Sequence, residues 1–378
     1  MSSDGQSVAL WSDGQISPLD VVPLDGRPGF RLSNRVTFRD FGSGIDQRQE
    51  ALAWRTDSSG LWSVEQQVVR PSGWALSGLT PILIDSAGNV QRFAAPEHAA
   101  GPLDAVAWVG GHGRAIAQFG TSGGSYRPEH ADASPTLAMI DVPGKRILDT
   151  LTGADAEALR LRTGSYNGFG PFDLSAVQLR NGRLRALLQL ERMVDPSHRR
   201  PAGSDEHRFL TPLWLVWTQG RSPVPMTPLF DDPSARAELT PDGSHILAWQ
   251  PLQPEGLIIH DCRSCPPPPP PTPVEAPIAA LIDARSGRTV WSLRARASEF
   301  WNRFGGPVVS PTGGFALIPL PAVNGRRRIA LLSMADGRIL QRFSPACAGC
   351  YPQSFGFTRG GRQVWIGIGS QLAFYDLP

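Results

Sequence analysis

Apolar and polar residues along this chain alternate in short bursts separated by glycine-bearing turns. Pro81-Ile-Leu-Ile-Asp-Ser-Ala-Gly88-Asn-Val, Thr136-Leu-Ala-Met-Ile-Asp-Val-Pro-Gly144-Lys-Arg-Ile, Ala280-Leu-Ile-Asp-Ala-Arg-Ser-Gly287-Arg-Thr-Val-Trp291 and Ile329-Ala-Leu-Leu-Ser-Met-Ala-Asp-Gly337-Arg-Ile-Leu share one form. Each is an apolar run, a tight turn with Gly and a second strand-like run; Leu213 to Met226 fits more loosely. Period-two alternation rich in β-branched residues around a Gly turn predicts a β-hairpin. A second class of segment takes turns with the first. It comprises Ala105 to Gln118, Ala176 to Leu190, Ala237 to Trp249, Val308 to Leu317 and Phe355 to Ile366, around Gly110-Gly-His-Gly113, Asn181-Gly182, Pro241-Asp-Gly243, Pro311-Thr-Gly-Gly314 and Arg359-Gly-Gly361.

Two hairpins in alternation make a four-stranded unit every ~40–60 residues, the spacing of propeller blades. The expected fold is therefore all-β: one β-propeller domain over 1–378, made of four-stranded antiparallel blades. The blades fall at about 34–66, 67–96, 105–151, 175–229, 235–294, 306–345 and 354–378, so the count is seven, with six and eight also open. The last blade has residues for three strands only. Ser7 to Val22, which reads strand–Asp13-Gly14–strand, is expected to complete it and close the ring, removing exposed sheet edges.

Two turns, Thr240-Pro-Asp-Gly243 and Ser310-Pro-Thr-Gly313, resemble the "SPDG" turn of bacterial WD40-like, TolB-like and YVTN-type β-propellers; Ser2-Ser-Asp-Gly5 is a looser match without the proline. The resemblance implies the propeller architecture and no particular function. The Gly-His and Trp-Asp dipeptides of WD40 repeats are not regular here, and propellers serve as scaffolds, lectins, hydrolases, lyases and redox enzymes.

In an up-and-down meander, the a–b and c–d turns share one end of the blade and the b–c and d–a connections share the other. The first set is short here. The second set holds the insertions 120–135, 152–174, 193–211 and 259–276, together with 295–305 and 345–353. Long loops on a rigid scaffold are where binding usually resides, although surface loops also tolerate insertions without function. The leading functional expectation is a non-catalytic scaffold that binds a protein or peptide on the long-loop face, alone or within a larger complex.

The chemistry-bearing residues gather in those insertions. Tyr126, Tyr166, Phe169, Trp301 and Tyr351 are the candidate binding aromatics; Tyr166-Asn-Gly-Phe-Gly170 and Trp301-Asn-Arg-Phe-Gly305 are Gly-spaced, which holds rings open for a ligand or plugs them onto sheet edges. The four cysteines form two CxxC pairs, Cys262-Arg-Ser-Cys265 and Cys347-Ala-Gly-Cys350, in insertions of neighbouring blades. Together they could supply four thiolates to a structural zinc, or form disulfides, or stay as free thiols. Pro266 and Tyr351 follow the two motifs where a c-type haem needs His. The run Pro266 to Pro271 is a stiff polyproline II spacer, or an SH3-type ligand.

His130, His198, His207 and His260 lie in the same insertions with Asp132, Asp205, Glu206 and Asp261, whereas His245 sits in a strand pattern and His112 on a short turn. A hydrolase or lyase with a metal or His/Asp/Glu site would need these groups to converge. No HExxH and no Gly-x-Ser-x-Gly elbow is present, and polar loops collect His and Asp by composition alone. A third reading is a carbohydrate-binding propeller using Trp301 and Tyr166.

Charge adds little. The formal net charge is +2 and only 19% of residues are charged, which predicts no nucleic-acid partner. No apolar stretch is long enough for a transmembrane helix. Met1 to Gln6 is polar and lacks an apolar signal region. That leaves a cytoplasmic chain, or a periplasmic or secreted one whose signal has been replaced by a Met.

Overall fold

The computed structural model describes residues 7–11, 19–24, 28–32, 52–55, 57–68, 76–98, 103–119, 136–151, 155, 173–193, 210–230, 235–252, 273–297, 306–324, 326–344, 354–358, 360–368 and 371–377. They belong to two compact units, Met1–Pro228 and Leu229–Pro378.

Among the described residues the first unit contains four sheets, each a meander of consecutive antiparallel strands. The first sheet is β1 (Ser7–Trp11), β2 (Leu19–Pro23) and β3 (Phe30–Leu32). The second is β4 (Ala53–Trp54), β5 (Gly60–Val68), β6 (Leu76–Asp85) and β7 (Val90–Arg92). The third is β8 (Leu103–Val109), β9 (Arg114–Phe119), β10 (Thr136–Asp141) and β11 (Arg146–Leu151). The fourth is β12 (Asp173–Gln178), β13 (Leu184–Met193), β14 (Leu210–Thr218) and β15 (Val224–Met226).

Among the described residues the second unit has two four-stranded sheets and one of three strands. These are β16 (Arg236–Leu239), β17 (His245–Trp249), β18 (Val274–Asp283) and β19 (Thr289–Ala297); β20 (Val308–Val309), β21 (Phe315–Val323), β22 (Arg326–Ser333) and β23 (Ile339–Phe343); and β24 (Ser354–Phe357), β25 (Gln363–Ile368) and β26 (Gln371–Asp376). The chain is thus all-β, built of the four-stranded antiparallel blades of a β-propeller.

Two expectations need correction. The strands assigned to separate blades at 34–66 and 67–96 lie in one sheet, because β5 and β6 pair from Gly60↔Asp85 to Val68↔Leu76. Over 34–378 the sheets among the described residues therefore number six, not seven. Hydrophobic alternation identifies hairpins but does not encode which of them share a sheet. The N-terminal segment also differs from expectation. β1 pairs with β2 from Ser7↔Pro23 to Trp11↔Leu19, β2 pairs with β3, and the last blade keeps the order β24-β25-β26. A bidentate bond from Arg31 to Asp20, at 2.7 and 2.8 Å, joins β2 to β3. The segment forms its own sheet, and closure of the last blade is not among these pairings.

Short turns explain the repeat. In Thr240–His245, the Thr240 N–H donates to the His245 carbonyl (2.9 Å) and the Gly243 N–H to the Thr240 carbonyl (2.7 Å), with Gly243 at φ 67°. Ser310–Phe315 and Thr358–Gln363 repeat this geometry. The leading hydroxyl braces the turn. Thr240, Ser310 and Thr358 Oγ each accept the N–H of the residue that closes it, at 3.0, 3.1 and 3.3 Å. That is why the turn begins with Ser or Thr.

The cores lie between successive sheets of a unit. In the first unit, Leu19 and Val21 meet Leu61, Ile82 and Ile84; Trp62 and Val64 meet Val106, Trp108 and Ile140; and Ile116, Leu137 and Met139 meet Leu188, Leu215 and Trp217. In the second, Leu247, Ile278 and Leu281 meet Ile318 and Leu332, and Leu317, Ile329 and Leu331 meet Phe355, Val364 and Ile366. Tryptophans add directed bonds across these seams. Trp62 Nε1 donates to the Gly111 carbonyl (3.3 Å), Trp217 Nε1 to Asp149 Oδ2 (3.2 Å), Trp249 Nε1 to the Pro319 carbonyl (3.0 Å) and Trp291 Nε1 to the Met334 carbonyl (2.9 Å).

Candidate binding face

Each sheet is a consecutive meander, so its first–second and third–fourth turns lie at one end and its remaining connections leave from the other. The described strand ends show how unequal the two are. At the short end the chain turns within a few residues, as between Leu239 and His245, Asp283 and Thr289, or Ser333 and Ile339. At the other end, Phe119 and Thr136 face each other across β9 and β10 and bracket the connection holding Tyr126 and His130. Met193 and Leu210 pair at the base of the connection holding His198 and His207. The Gln250 N–H bonded to the Ile278 carbonyl (2.9 Å) clamps the base of the connection holding Cys262 and Cys265.

The links from Leu151 to Asp173, Ala297 to Val308 and Phe343 to Ser354 leave from that same end of their sheets. They carry Tyr166 and Phe169, Trp301, and Cys347, Cys350 and Tyr351. The candidate residues Tyr126, Tyr166, Phe169, Trp301, Tyr351, Cys262, Cys265, Cys347 and Cys350 all lie outside the described residues, as do His130, His198, His207, His260 and the run Pro266 to Pro271. What the described residues define, in each unit separately, are the strand ends from which their connections spring.

The second strands of both units carry a feature that sequence reading missed. Second strands carry polar residues within apolar runs: Glu65 on β5, Gln118 on β9, Gln189 on β13 and Gln250 just after β17. The first three are buried. Glu65 is held by a bidentate bond from Arg92 at 2.6 and 3.0 Å, its side chain 10% exposed against 49% for the arginine. Gln250 Nε2 donates to the Pro277 carbonyl at 2.6 Å. The signal was present as Val64-Glu65, Ala117-Gln118 and Leu188-Gln189, but a single polar residue in a strand pattern reads as a solvent-facing position. On β5 and β9 both faces of the strand are covered by neighbouring sheets of the same unit, which is why Glu65 and Gln118 lie inside.

The short-turn end carries a different chemistry. Ser244 Oγ lies 2.7 Å from His245 Nδ1 and 2.8 and 2.7 Å from the two Asp242 oxygens, and Thr240 Oγ1 donates to Asp242 at 2.6 Å. Partial burial would raise the Asp242 pKa. The bonds from Thr240 and Ser244 and the nearby His245 outweigh it and bring the carboxyl down to about 2. The hydroxyl sits between carboxylate and imidazole, whereas activating a serine needs the imidazole in the middle. This group locks a turn. Asp283 does the same in the next turn, accepting from Ser286 Oγ and from the Arg285 and Ser286 N–H groups, with its pKa lowered. Among the described residues, no three His, Cys, Asp or Glu side chains gather as a metal cage, and no helix is long and apolar enough to cross a membrane.

No family model matches the chain. No curated protein matches it either. Solved structures do. The chain is similar to TolB from Acinetobacter baumannii at 12% identity and TM-score 0.41, covering 92% of this chain and 65% of that one. It thus spans somewhat less than two thirds of TolB. It is similar to the C-terminal WD40 domain of Sif2 at 10% identity and TM-score 0.43, over 99% and 93% of the two chains. It is also similar to the β-propeller domain of the trilobed protease from Pyrococcus furiosus, described as having an open velcro topology, at 10% identity and TM-score 0.47, over 97% and 94%. At these identities and TM-scores the likenesses carry no argument about function, which has to be argued from this chain's own residues.

Proposed function

We propose that the chain is a non-catalytic β-propeller scaffold that binds a protein or peptide through the connections at the long end of its blades. The supporting observation is the inequality of the two ends. Hydrogen-bonded turns of a few residues close one end, while strand ends paired in register hold insertions such as 120–135 and 194–209 at the other. Loops anchored at both bases on a rigid sheet present side chains at low entropic cost, and tyrosine, tryptophan and phenylalanine are the residues that bind best from such positions. Tyr126, Tyr166, Phe169, Trp301 and Tyr351 fill this role in the proposal.

The two CxxC pairs give a second part. Cys262 with Cys265 and Cys347 with Cys350 belong to connections that leave the same end of neighbouring sheets in the second unit. In the proposal they fasten those connections, as four thiolates on one structural zinc or as disulfides. The polyproline run beside Cys265 then acts as a stiff spacer.

The test uses the immobilised full chain and extracts of its source cells. Proteins retained by the wild type are compared with those retained by a variant carrying Tyr166→Ser, Phe169→Ser and Trp301→Ser, and by a short-end variant carrying Arg285→Ala and Arg288→Ala. Selective loss with the first supports the proposal. Selective loss with the second refutes it.

A further inference from the structure

Among the described residues the last sheet has three strands, β24-β25-β26, where its neighbours in the unit have four. Among the described residues β26 pairs with β25 and with no strand on its other side. The Leu377 N–H donates to the Arg362 carbonyl at 2.9 Å, and the register runs from Gln363↔Asp376 to Ile368↔Gln371. Backbone groups of an antiparallel strand point alternately toward and away from its partner. Gln371, Ala373 and Tyr375 therefore bond toward β25, and the main-chain groups of Leu372, Phe374 and Asp376 point to the open side.

The side chains of β26 are unusual for a third strand. In complete sheets that strand is buried, as β10 is throughout and β18 is from Ile278 to Ile282. On β26, Leu372 is 38% exposed and Phe374 41%. Exposed edges with apolar residues are the usual template for adding a strand.

The other sheets show what chemistry the added strand should carry. In four of them an arginine on the outermost strand bonds an acid on a strand inside it. Arg31 bonds Asp20 (2.7 Å), Arg92 bonds Glu65 (2.6 Å), and Arg146 bonds Asp141 (2.7 Å). Arg294 donates to the Glu275 carbonyl (3.1 Å), with its guanidinium 3.9 Å from the carboxylate. On the last sheet the acid is present, as exposed Asp376 accepting from Gln363 Nε2 at 2.9 Å, but among the described residues no outer strand supplies the arginine.

We infer that the open edge of β26 is a β-augmentation site for a separate polypeptide: an extended, antiparallel, alternately apolar segment with an arginine opposite Asp376. Main-chain bonds at Leu372, Phe374 and Asp376 would hold the strand, and the acid would choose its register. This surface is independent of the long-end connections and stands or falls separately from them.

The probe is a fluorescein-labelled synthetic peptide with the sequence Thr289–Ala297 of β19, an outermost strand of this chain that carries Arg294 and Arg296. Anisotropy titrations on the full chain should show saturable binding. Phe374→Pro removes an outward donor and no bond to β25, and should weaken binding about 10-fold or more. Asp376→Asn, a milder change, should weaken it about 2- to 5-fold, and that loss should vanish for a peptide with both arginines replaced by Gln. Thermal melts confirm that each variant is folded. The inference is overturned if the wild type does not bind the peptide, or if Phe374→Pro binds as well as wild type. It is equally overturned if the Leu372, Phe374 and Asp376 amides already exchange slowly without peptide, meaning that the chain covers its own edge. A doubled mass in sedimentation that Phe374→Pro abolishes would assign the edge to a second copy and overturn it too.

Discussion

The indole of Trp291 packs against Gly337, and its Nε1 donates to the Met334 carbonyl at 2.9 Å. Gly337 has φ 72°, and a Cβ there would sit 2.6 Å from the ring. The same relation holds in the first unit, where Trp62 lies over Gly113 (φ 71°) and donates to the Gly111 carbonyl. A turn glycine thus does two things: it takes the left-handed conformation and it seats the neighbouring sheet's tryptophan. Gly337→Ala should destabilise by about 2–4 kcal/mol, the strained φ and the steric conflict adding. Trp291→Phe, which keeps most of the ring but loses the bond, should cost about 1–2 kcal/mol. Denaturant unfolding followed by tryptophan fluorescence and circular dichroism measures both.

Arg92→Ala should be far more costly than Arg31→Ala, although both break a bidentate pair. Glu65 stays buried when Arg92 is removed, whereas Asp20 remains open to water. The first variant should lose about 2 kcal/mol, and the second should be indistinguishable from wild type. Glu65→Gln should recover part of the loss in the Arg92→Ala background, because a neutral amide is cheaper to bury than an unpaired carboxylate. A double-mutant cycle on unfolding free energies gives the coupling.

Asp242 makes stability depend on acid. Its folded pKa of about 2 lies below the ordinary aspartate value of 3.8, so the group stabilises the fold above about pH 4. That contribution fades as pH falls toward 2. Solvent screening of this partly exposed carboxyl limits it to about 1 kcal/mol. Asp242→Asn should therefore lower stability at pH 7 and match wild type near pH 2, as read from melting temperatures across that range.

Thiol and metal content together test the proposed fastening. Titration of the denatured chain with a chelator, alongside elemental analysis, should give four thiols with one zinc, or neither thiol nor zinc if two disulfides are present. Four free thiols without zinc would mean that Cys262, Cys265, Cys347 and Cys350 fasten nothing.

The hairpins, their Gly turns and the all-β class were legible in the sequence because the period of two and the positive-φ requirement are local. Thr240–His245 and Ser310–Phe315 could be read letter by letter. Grouping was not legible. Whether the strand at Gly60–Val68 joins the hairpin behind it or the one ahead depends on register with Leu76–Asp85, which no local pattern states. The buried polar residues escaped for a related reason: Glu65 and Gln118 look like surface positions until both faces of their strands are known to be covered. The aromatic and cysteine candidates lie in connections outside the described residues, and the strand ends that bracket those connections say nothing of where their side chains lie.

The central claim is that the long-end connections form the binding surface. Hydrogen exchange by mass spectrometry, on the full chain with and without a partner protein purified by capture, tests it most directly. The account predicts slowed exchange in the segments holding Tyr126, Tyr166, Trp301 and Tyr351. Slowed exchange confined to the short turns around Asp242, Asp283 and Asp336 would contradict it.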